Sequence, residues 1–536
     1  MKRIIFLAII SLAALSCSLN ESYDGFVGRK QAYQTKQQAQ AVVNRCYTYT
    51  SFITTNFGLM VEACTDLWNC STSTVDASVN INPNNPGHGT SIWTNCYKGV
   101  MTCNEAIECI FASATIPDED KYPLQAEARA LRALYYYFLT NTFNGVPFYL
   151  YMVEDRDTQD KVQALPRTDA KIIRRTLYQD LKDNALPYFT EENGLKARPS
   201  EIKGNRAGYA LSLMLMAKFA MWTEDWKDAM FALDKLESLY GELSSYPLEE
   251  TSWNLKNTPE SIFEIQHAWS PDGVQYSSSY GRMLLPAYSG DGVFDGIYMP
   301  ELGENISSWA PLRTNDRFIK AADAKTSTAI FSNPPLIKSS IDGLLYLDCN
   351  AAETGIVRGE KLDKRILMII GLGKLSTGET FKAIKSQGNA YAGPKFWCEG
   401  MVSSYDSNNY KILRFADAML MMAECHAELN GNLSEATRYL NMTRTRAGLD
   451  PLPVFKDKID FLKELRDERA RELAGELHRK YDLVRWGIWY DETYSNTEYS
   501  TLKNNIRPCH KYYPIPDTEC ALSNYILTND EYKAVE

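Results

Sequence analysis

The chain has 536 residues, 45% of them hydrophobic and 23% charged, with a net charge of -10. That length can bury a large core as one big domain or two intimate ones. An acidic balance with no long basic run excludes the electrostatic footprint of a nucleic-acid binder.

The first element is a leader. Lys2 and Arg3 precede an apolar run from Ile4 to Leu15, followed by Ser16-Cys17. The run has the length of a secretory core and is too short to cross a bilayer. Its Ser-Cys end reads as a bacterial lipoprotein signal over residues 1–16, with Cys17 as the lipidated first residue of the mature chain. An ordinary secretory signal with an incidental cysteine is the alternative. Residues 17–28, with Glu21 and Asp24, then form a polar tether. Acyl chains gain about 0.8 kcal/mol per buried methylene, enough for several of them to hold a protein on a membrane it does not span.

From residue 29 to 243 helical periodicity dominates. It predicts helices over Gln31–Tyr49, Trp93–Phe111, Tyr122–Asn141, Thr168–Tyr188, Lys203–Trp222 and Asp225–Leu239. Asn144-Gly-Val-Pro147 closes the third with the residues that stop helices. The run Ala210 to Trp222 contains Lys218 and is too short for a membrane span, so it reads as a core helix. Of 12 cysteines, six crowd this region (Cys46, Cys64, Cys70, Cys96, Cys103, Cys109). They form no Cys-x-x-Cys and have no histidine at metal-ligand spacing, which speaks against zinc. A disulfide such as Cys64–Cys70 is compatible with an oxidising compartment.

Residues 244–410 break the pattern. They are rich in Ser, Gly and Tyr, with short β-like runs at Ser261–Gln266 and Gly343–Leu347. A second irregular stretch covers residues 66–92. Long loops in a compact domain are usually functional, and ligand contacts are expected there, presented by the helical body. Helices resume over 411–536, at Arg414–Asn430, Asn432–Ala447, Lys458–Leu477 and Tyr481–Trp489. Helix pairs joined by turns such as Thr223–Asp225 and Asn430–Asn432 suggest a mainly α fold of tetratricopeptide-type hairpins with irregular spacing.

Within the last region Glu468, Glu472 and Glu476 recur every four residues, which on a helix stacks them on one face. Like charges at that spacing repel, and Arg469, Arg471, Arg479 and Arg485 are the evident compensation. A glycosidase needs two carboxylates facing each other across roughly 5–9.5 Å, one with a raised pKa. Glutamates side by side among arginines have the wrong geometry and depressed pKa values. The motif therefore reads as an arginine–glutamate lock extended by Asp482 and Arg485. There is no nucleophile elbow, phosphate loop or His-Glu-x-x-His, and Asp291–Asp295 lacks the oxygen density of a calcium loop.

The chain resembles the SusD/RagB-like lipoproteins of the Bacteroidetes in an ordered series of segments. These are Trp93-x3-Tyr97 with Asn104, Ala126–Leu139 running into Gly145-Val-Pro147, Asn205-Arg206 leading to Asp225-Trp226, and Thr314–Arg317. They continue with Gly393–Trp397, Arg414–Glu424, Arg444–Gly448, Glu468–Gly487 and Tyr513–Pro516. Asp417 stands where the family often has glutamate, and the ending Leu527–Tyr532 is a loose form of the family's. The resemblance implies a non-catalytic lipoprotein on the outer face of the outer membrane. It would bind glycan, or in some branches peptide, over a SusC-like TonB-dependent β-barrel transporter, without a cofactor.

A sugar ring presents an apolar C–H face and a fringe of hydroxyls, so its binder needs flat aromatics and planar polar groups. The candidates in the irregular regions are Trp68, Trp269, Tyr276, Tyr280, Tyr288, Tyr298 and Trp309, with Asp66, Asn69, Asp291 and Arg313 as polar partners. In a chain that is 12% aromatic, any one of them could equally be a packing residue. A glycan-capturing surface protein is the preferred reading. A peptide-binding lid and a lipid-anchored hydrolase are the alternatives.

Overall fold

The computed structural model describes residues 32–70, 79–269, 405–497 and 500–533, with shorter runs between 275 and 398. The leader, Cys17 and the tether lie outside the described residues. In the first helical region the principal helices are α1 (Lys36–Arg45), α2 (Thr48–Glu62), α3 (Gly89–Ala112), α4 (Asp118–Phe143), α5 (Arg156–Gln163), α6 (Ala170–Asn184), α7 (Tyr209–Trp222) and α8 (Trp226–Tyr240). The second contributes α9 (Phe415–Asn430), α10 (Leu433–Arg446), α11 (Lys458–Glu472), α12 (Arg479–Arg485) and α13 (Trp489–Asn496).

Local chemistry sets these limits. Thr35 and Gln38 form a capping box on α1, and Asn432 caps α10 through the Glu435 amide at 3.3 Å. Asp118, Glu119 and Asp120 crowd the first turn of α4, where the helix dipole favours carboxylates. Gly431 ends α9 in the left-handed conformation, φ 59°. Helices α3 and α4, α7 and α8, and α9 and α10 pack as hairpins, and α8 packs on α9. The two helical regions thus share one hydrophobic core, which runs from Tyr33 to Tyr532.

The strands are short. β1 is Trp68–Cys70, β2 Ser261–Ile265, β3 Ala268–Trp269 and β4 Gln275–Tyr276. Next come β5 (Tyr288–Gly290), β6 (Val293–Phe294), β7 (Ile297–Tyr298) and β8 (Leu312–Thr314). β9 (Leu336–Lys338), β10 (Leu345–Leu347), β11 (Leu372–Leu375) and β12 (Phe381–Ala383) precede β13 (Lys385–Ser386), β14 (Asn389–Tyr391) and β15 (Tyr410–Arg414). One sheet runs β1-β8-β14-β13 and another β12-β11-β7-β6-β5, while β15 pairs with β2 and β3 with β4. The β2–β15 ribbon, buried along both strands, ties the irregular region to α9, which follows β15 directly.

The structure departs from the sequence reading in several places. α2 was not expected, because its Thr, Tyr and Phe-rich run lacks a clean apolar stripe. The expected helix from Lys203 begins only at Tyr209, since Gly204 and Asn205 take positive φ values of 82° and 51° and turn the chain first. α11 stops at Glu472, with Gly475 at φ 74° beyond it, so Glu476 is not on the helix that carries Glu468 and Glu472. Gly487 at φ 73° separates α12 from α13, where one helix to Trp489 was expected. Cys64 is fully buried, and the side chain of Cys70 lies outside the described residues. No helix among the described residues is long and apolar enough to cross a membrane.

Candidate functional site

The three glutamates converge despite the break in the helix. Glu468 takes Arg365 at 2.6 Å, the Arg471 Nε at 3.0 Å and the Thr443 hydroxyl at 2.5 Å. Glu472 takes Arg414 at 2.7 Å, Arg365 at 3.0 Å and Arg446. Glu476 takes the Arg414 Nε at 2.7 Å and the Lys395 ammonium at 2.5 Å. Most of the arginines interleaved with these glutamates serve other acids. Arg469 pairs with Asp417 and Asp482, Arg479 with Asp66, and Arg485 with Glu424 and Asp482. Asp417, the family's frequent glutamate position, reaches Lys218 of α7 at 2.5 Å.

Burial pulls each of the three carboxyls upward, but the guanidinium and ammonium groups outweigh it. Glu468 is held at about 2, and Glu472 and Glu476 are also lowered. None of the three can be the protonated acid of a glycosidase near neutral pH. Burial raises the Glu62 carboxyl to about 8, with Glu476 adding to the rise. Its side chain, however, is 0% exposed and out of reach of a substrate.

The sequence candidates divide sharply by burial. Asp66 is buried, with its oxygens on the Arg479 guanidinium at 2.8 and 2.6 Å. Trp68 is 1% exposed and meets Phe396 edge-on at 6.1 Å. Asn69 is buried and accepts from the Thr497 hydroxyl at 3.4 Å. Tyr280 is buried and stacks on Trp253 at 5.1 Å. These four are parts of the packing and offer no face to solvent. Arg313 is half-buried in β8 opposite Asn69. Tyr288 and Tyr298 hold backbone places in β5 and β7, and their side chains lie outside the described set, as do Asp291 and Trp309 entirely.

Trp269 and Tyr276 remain. Trp269, at the end of β3, is half-buried and stacks on Tyr405 with centroids 5.8 Å apart and planes 21° from parallel. Tyr405 is 46% exposed, so the pair presents a flat apolar surface to water. Tyr276 is exposed, but it sits opposite Ala268 in the hairpin, and the pleat turns it to the other face from Trp269. Tyr405 was missed by sequence reasoning. Its signal was a tyrosine in the polar turn Ser403-Ser-Tyr-Asp-Ser-Asn-Asn409, immediately before a β-like run.

The mounting of this pair is rigid. Asp406, next to Tyr405, exchanges backbone hydrogen bonds with Ser278 at 2.9 and 3.1 Å. Its carboxylate accepts the amides of Gly281 at 3.2 Å and Asn408 at 3.0 Å. Glycine at 281 lets the carboxylate approach this closely, since a Cβ there would lie 2.7 Å from it and push it aside. On the Trp269 side, the Asn409 side-chain oxygen accepts the His267 backbone amide at 2.9 Å, and its side-chain amide donates to Glu264 at 2.9 Å. Among the described residues no group of three His, Cys, Asp or Glu is placed to hold a metal ion.

A helical-hairpin body with its carboxylates locked in ion pairs, and with a partly exposed aromatic stack on an irregular face, is the arrangement of a binding protein. Residues 395–532 match the SusD family, and residues 33–185 match a SusD-like family described as starch-binding and associating with the outer membrane. SusD-like protein P25 of Formosa agariphila is 26% identical over 449 residues, covering 82% of this chain and 78% of that protein. A SusD homolog from Bacteroides thetaiotaomicron has the same fold with TM-score 0.70 and 18% identity, over 93% of this chain and 97% of that one. Surface glycan-binding protein A from the same organism, solved in complex with laminarihexaose, matches with TM-score 0.63 and 18% identity, over 93% and 100%. The two matches cover parts of both helical regions and mark the chain as SusD-like.

Proposed function

We propose that this protein is a glycan-binding lipoprotein of the outer membrane that captures oligosaccharide on the Trp269–Tyr405 face and delivers it to a TonB-dependent transporter. The observation that carries the reading is the stacked Trp269–Tyr405 pair, Tyr405 exposed and Trp269 half-buried, on a hydrogen-bonded mount. Two aromatic planes held in place bind sugar C–H faces without first losing rotamer freedom. The laminarihexaose complex of a protein with this fold supports a glycan as the cargo class. Affinity electrophoresis against a panel of neutral and acidic polysaccharides, with peptides as the competing class, tests it. Trp269→Ala is expected to weaken glycan binding at least tenfold, about 1.4 kcal/mol. Preference for peptides, or unchanged affinity in Trp269→Ala, would contradict the assignment. Cys17→Ala is expected to move the protein from the membrane to the soluble fraction, and retention would argue against lipid anchoring.

A further inference from the structure

A hollow opens between α1, the start of α4, the turn Leu186–Tyr188 and the loop after it. Its volume is about 440 Å³, within the range of small-molecule sites, which runs from about 300 to 1,000 Å³. Tyr122 and Tyr188 line it as a stacked pair, with centroids 4.8 Å apart and planes 25° from parallel, both half-buried. Pro123, Pro187 and Leu195 extend the apolar lining.

The hollow is built in advance. Asn193 holds the loop behind Tyr188: its side-chain oxygen accepts the amides of Thr190 and Leu195, both at 3.1 Å, and its amide donates to the Tyr188 carbonyl at 2.8 Å. The cations at the rim are already committed. Lys36 binds Asp120 at 2.6 Å, and the Arg206 guanidinium lies along the Glu127 carboxylate, its Nε at 3.0 and 3.1 Å. Glu119 and Glu192 stand exposed at the same rim. A broader depression of about 710 Å³ adjoins, sharing Pro187, Thr190 and Glu192 and adding the rings of Tyr209 and Phe231. An extended chain of rings could therefore continue from one hollow into the next.

The geometry points to a second glycan-binding site centred on Tyr122 and Tyr188, taking uncharged sugar rings of an oligosaccharide that runs on into the adjoining depression. The inference rests on the reading of this protein as a glycan binder, but it uses none of the residues of the Trp269–Tyr405 face. At the Tyr122–Tyr188 hollow itself uronates are disfavoured, because its rim cations Lys36 and Arg206 are neutralised by their partners while Asp118, Glu119 and Glu192 remain exposed. Lys182, Lys196 and Lys235 line only the adjoining depression.

Calorimetry with laminarihexaose, maltohexaose and alginate hexasaccharide tests the site on the wild type, Tyr188→Ala, Tyr122→Leu and Trp269→Ala. Leucine at 122 keeps apolar packing and removes the flat ring, so it serves if the alanine variant unfolds. The wild type is expected to bind a neutral hexasaccharide at two sites. Tyr188→Ala or Tyr122→Leu should reduce the stoichiometry from two to one, leaving the isotherm of the Trp269 site, and Trp269→Ala should do the converse. A stoichiometry of one that Tyr188→Ala and Tyr122→Leu leave unchanged would overturn the second site and spare the first. Alginate binding lost in Tyr188→Ala would overturn the neutral-sugar assignment. Absence of binding by all three sugars would overturn both readings.

Discussion

Glu472 sits among Arg365, Arg414 and Arg446 with almost no exposure, so its value is structural. Removing one partner from a buried ion cluster leaves the others desolvated and unpaired. Glu472→Ala is expected to cost about 3–5 kcal/mol, read as a lower urea midpoint at unchanged slope. Glu62 carries the opposite electrostatic sign. Its carboxyl accepts the Leu477 amide at 2.7 Å, and burial lifts it from the ordinary carboxylate range to about 8. A carboxyl raised in the folded state contributes stability that is fully present below its unfolded pKa and lost as pH rises through the folded value. Stability should therefore fall between about pH 5 and 9 through this group, and Glu62→Gln, which keeps the acceptor, should flatten that fall in denaturation curves at pH 7 and 9.

At the scale of elements, the network joins α11 to β15 through Arg414 and to α10 through Arg446 and Thr443, and Lys395 ties the segment just after α11, at Glu476, to the turn Pro394–Phe396. Gly475 makes the break after α11 that brings Glu476 back onto Arg414. It has φ 74°, and a Cβ there would stand 2.4 Å from the Phe396 ring and 3.2 Å from Trp68. Gly475→Ala is expected to cost at least about 2 kcal/mol, from left-handed strain plus the clash, measured as a lower melting temperature. Much of this level was legible in the sequence. The apolar faces of α3 and α8 and the turn that ends at Asn432 are local signals, whereas the capping box at Thr35 starts α1 at Lys36 and not at the Gln31 expected. The partners of the glutamates were not legible: Arg365 and Arg414 lie more than fifty residues away in sequence, and only the fold brings them in.

For the whole molecule, the arrangement separates a charge-locked body from an aromatic face. The sequence gives Trp68 and Trp269 equal standing as sugar platforms, since both are tryptophans in irregular segments. Tertiary packing decides between them: Trp68 fills space against Phe396, whereas Trp269 ends a two-residue strand and stacks outward with Tyr405. Asp66, with the composition of a ligand-binding acid, is spent on Arg479 for the same reason. The fold class was readable because helical period and ordered motifs are carried by the chain itself. The site was not, because exposure belongs to the assembled structure.

Capture and scaffold thus reside in different residues of this protein. Glycan affinity and thermal midpoint measured together on the wild type, Trp269→Ala and Glu472→Gln test it most directly. Trp269→Ala is expected to lose affinity with a midpoint near the wild-type value. Glu472→Gln should lose thermal stability while the folded fraction keeps wild-type affinity. A Glu472→Gln protein as stable as the wild type but unable to bind glycan, or a wild type that cleaves glycan and loses that turnover on this change, would contradict it.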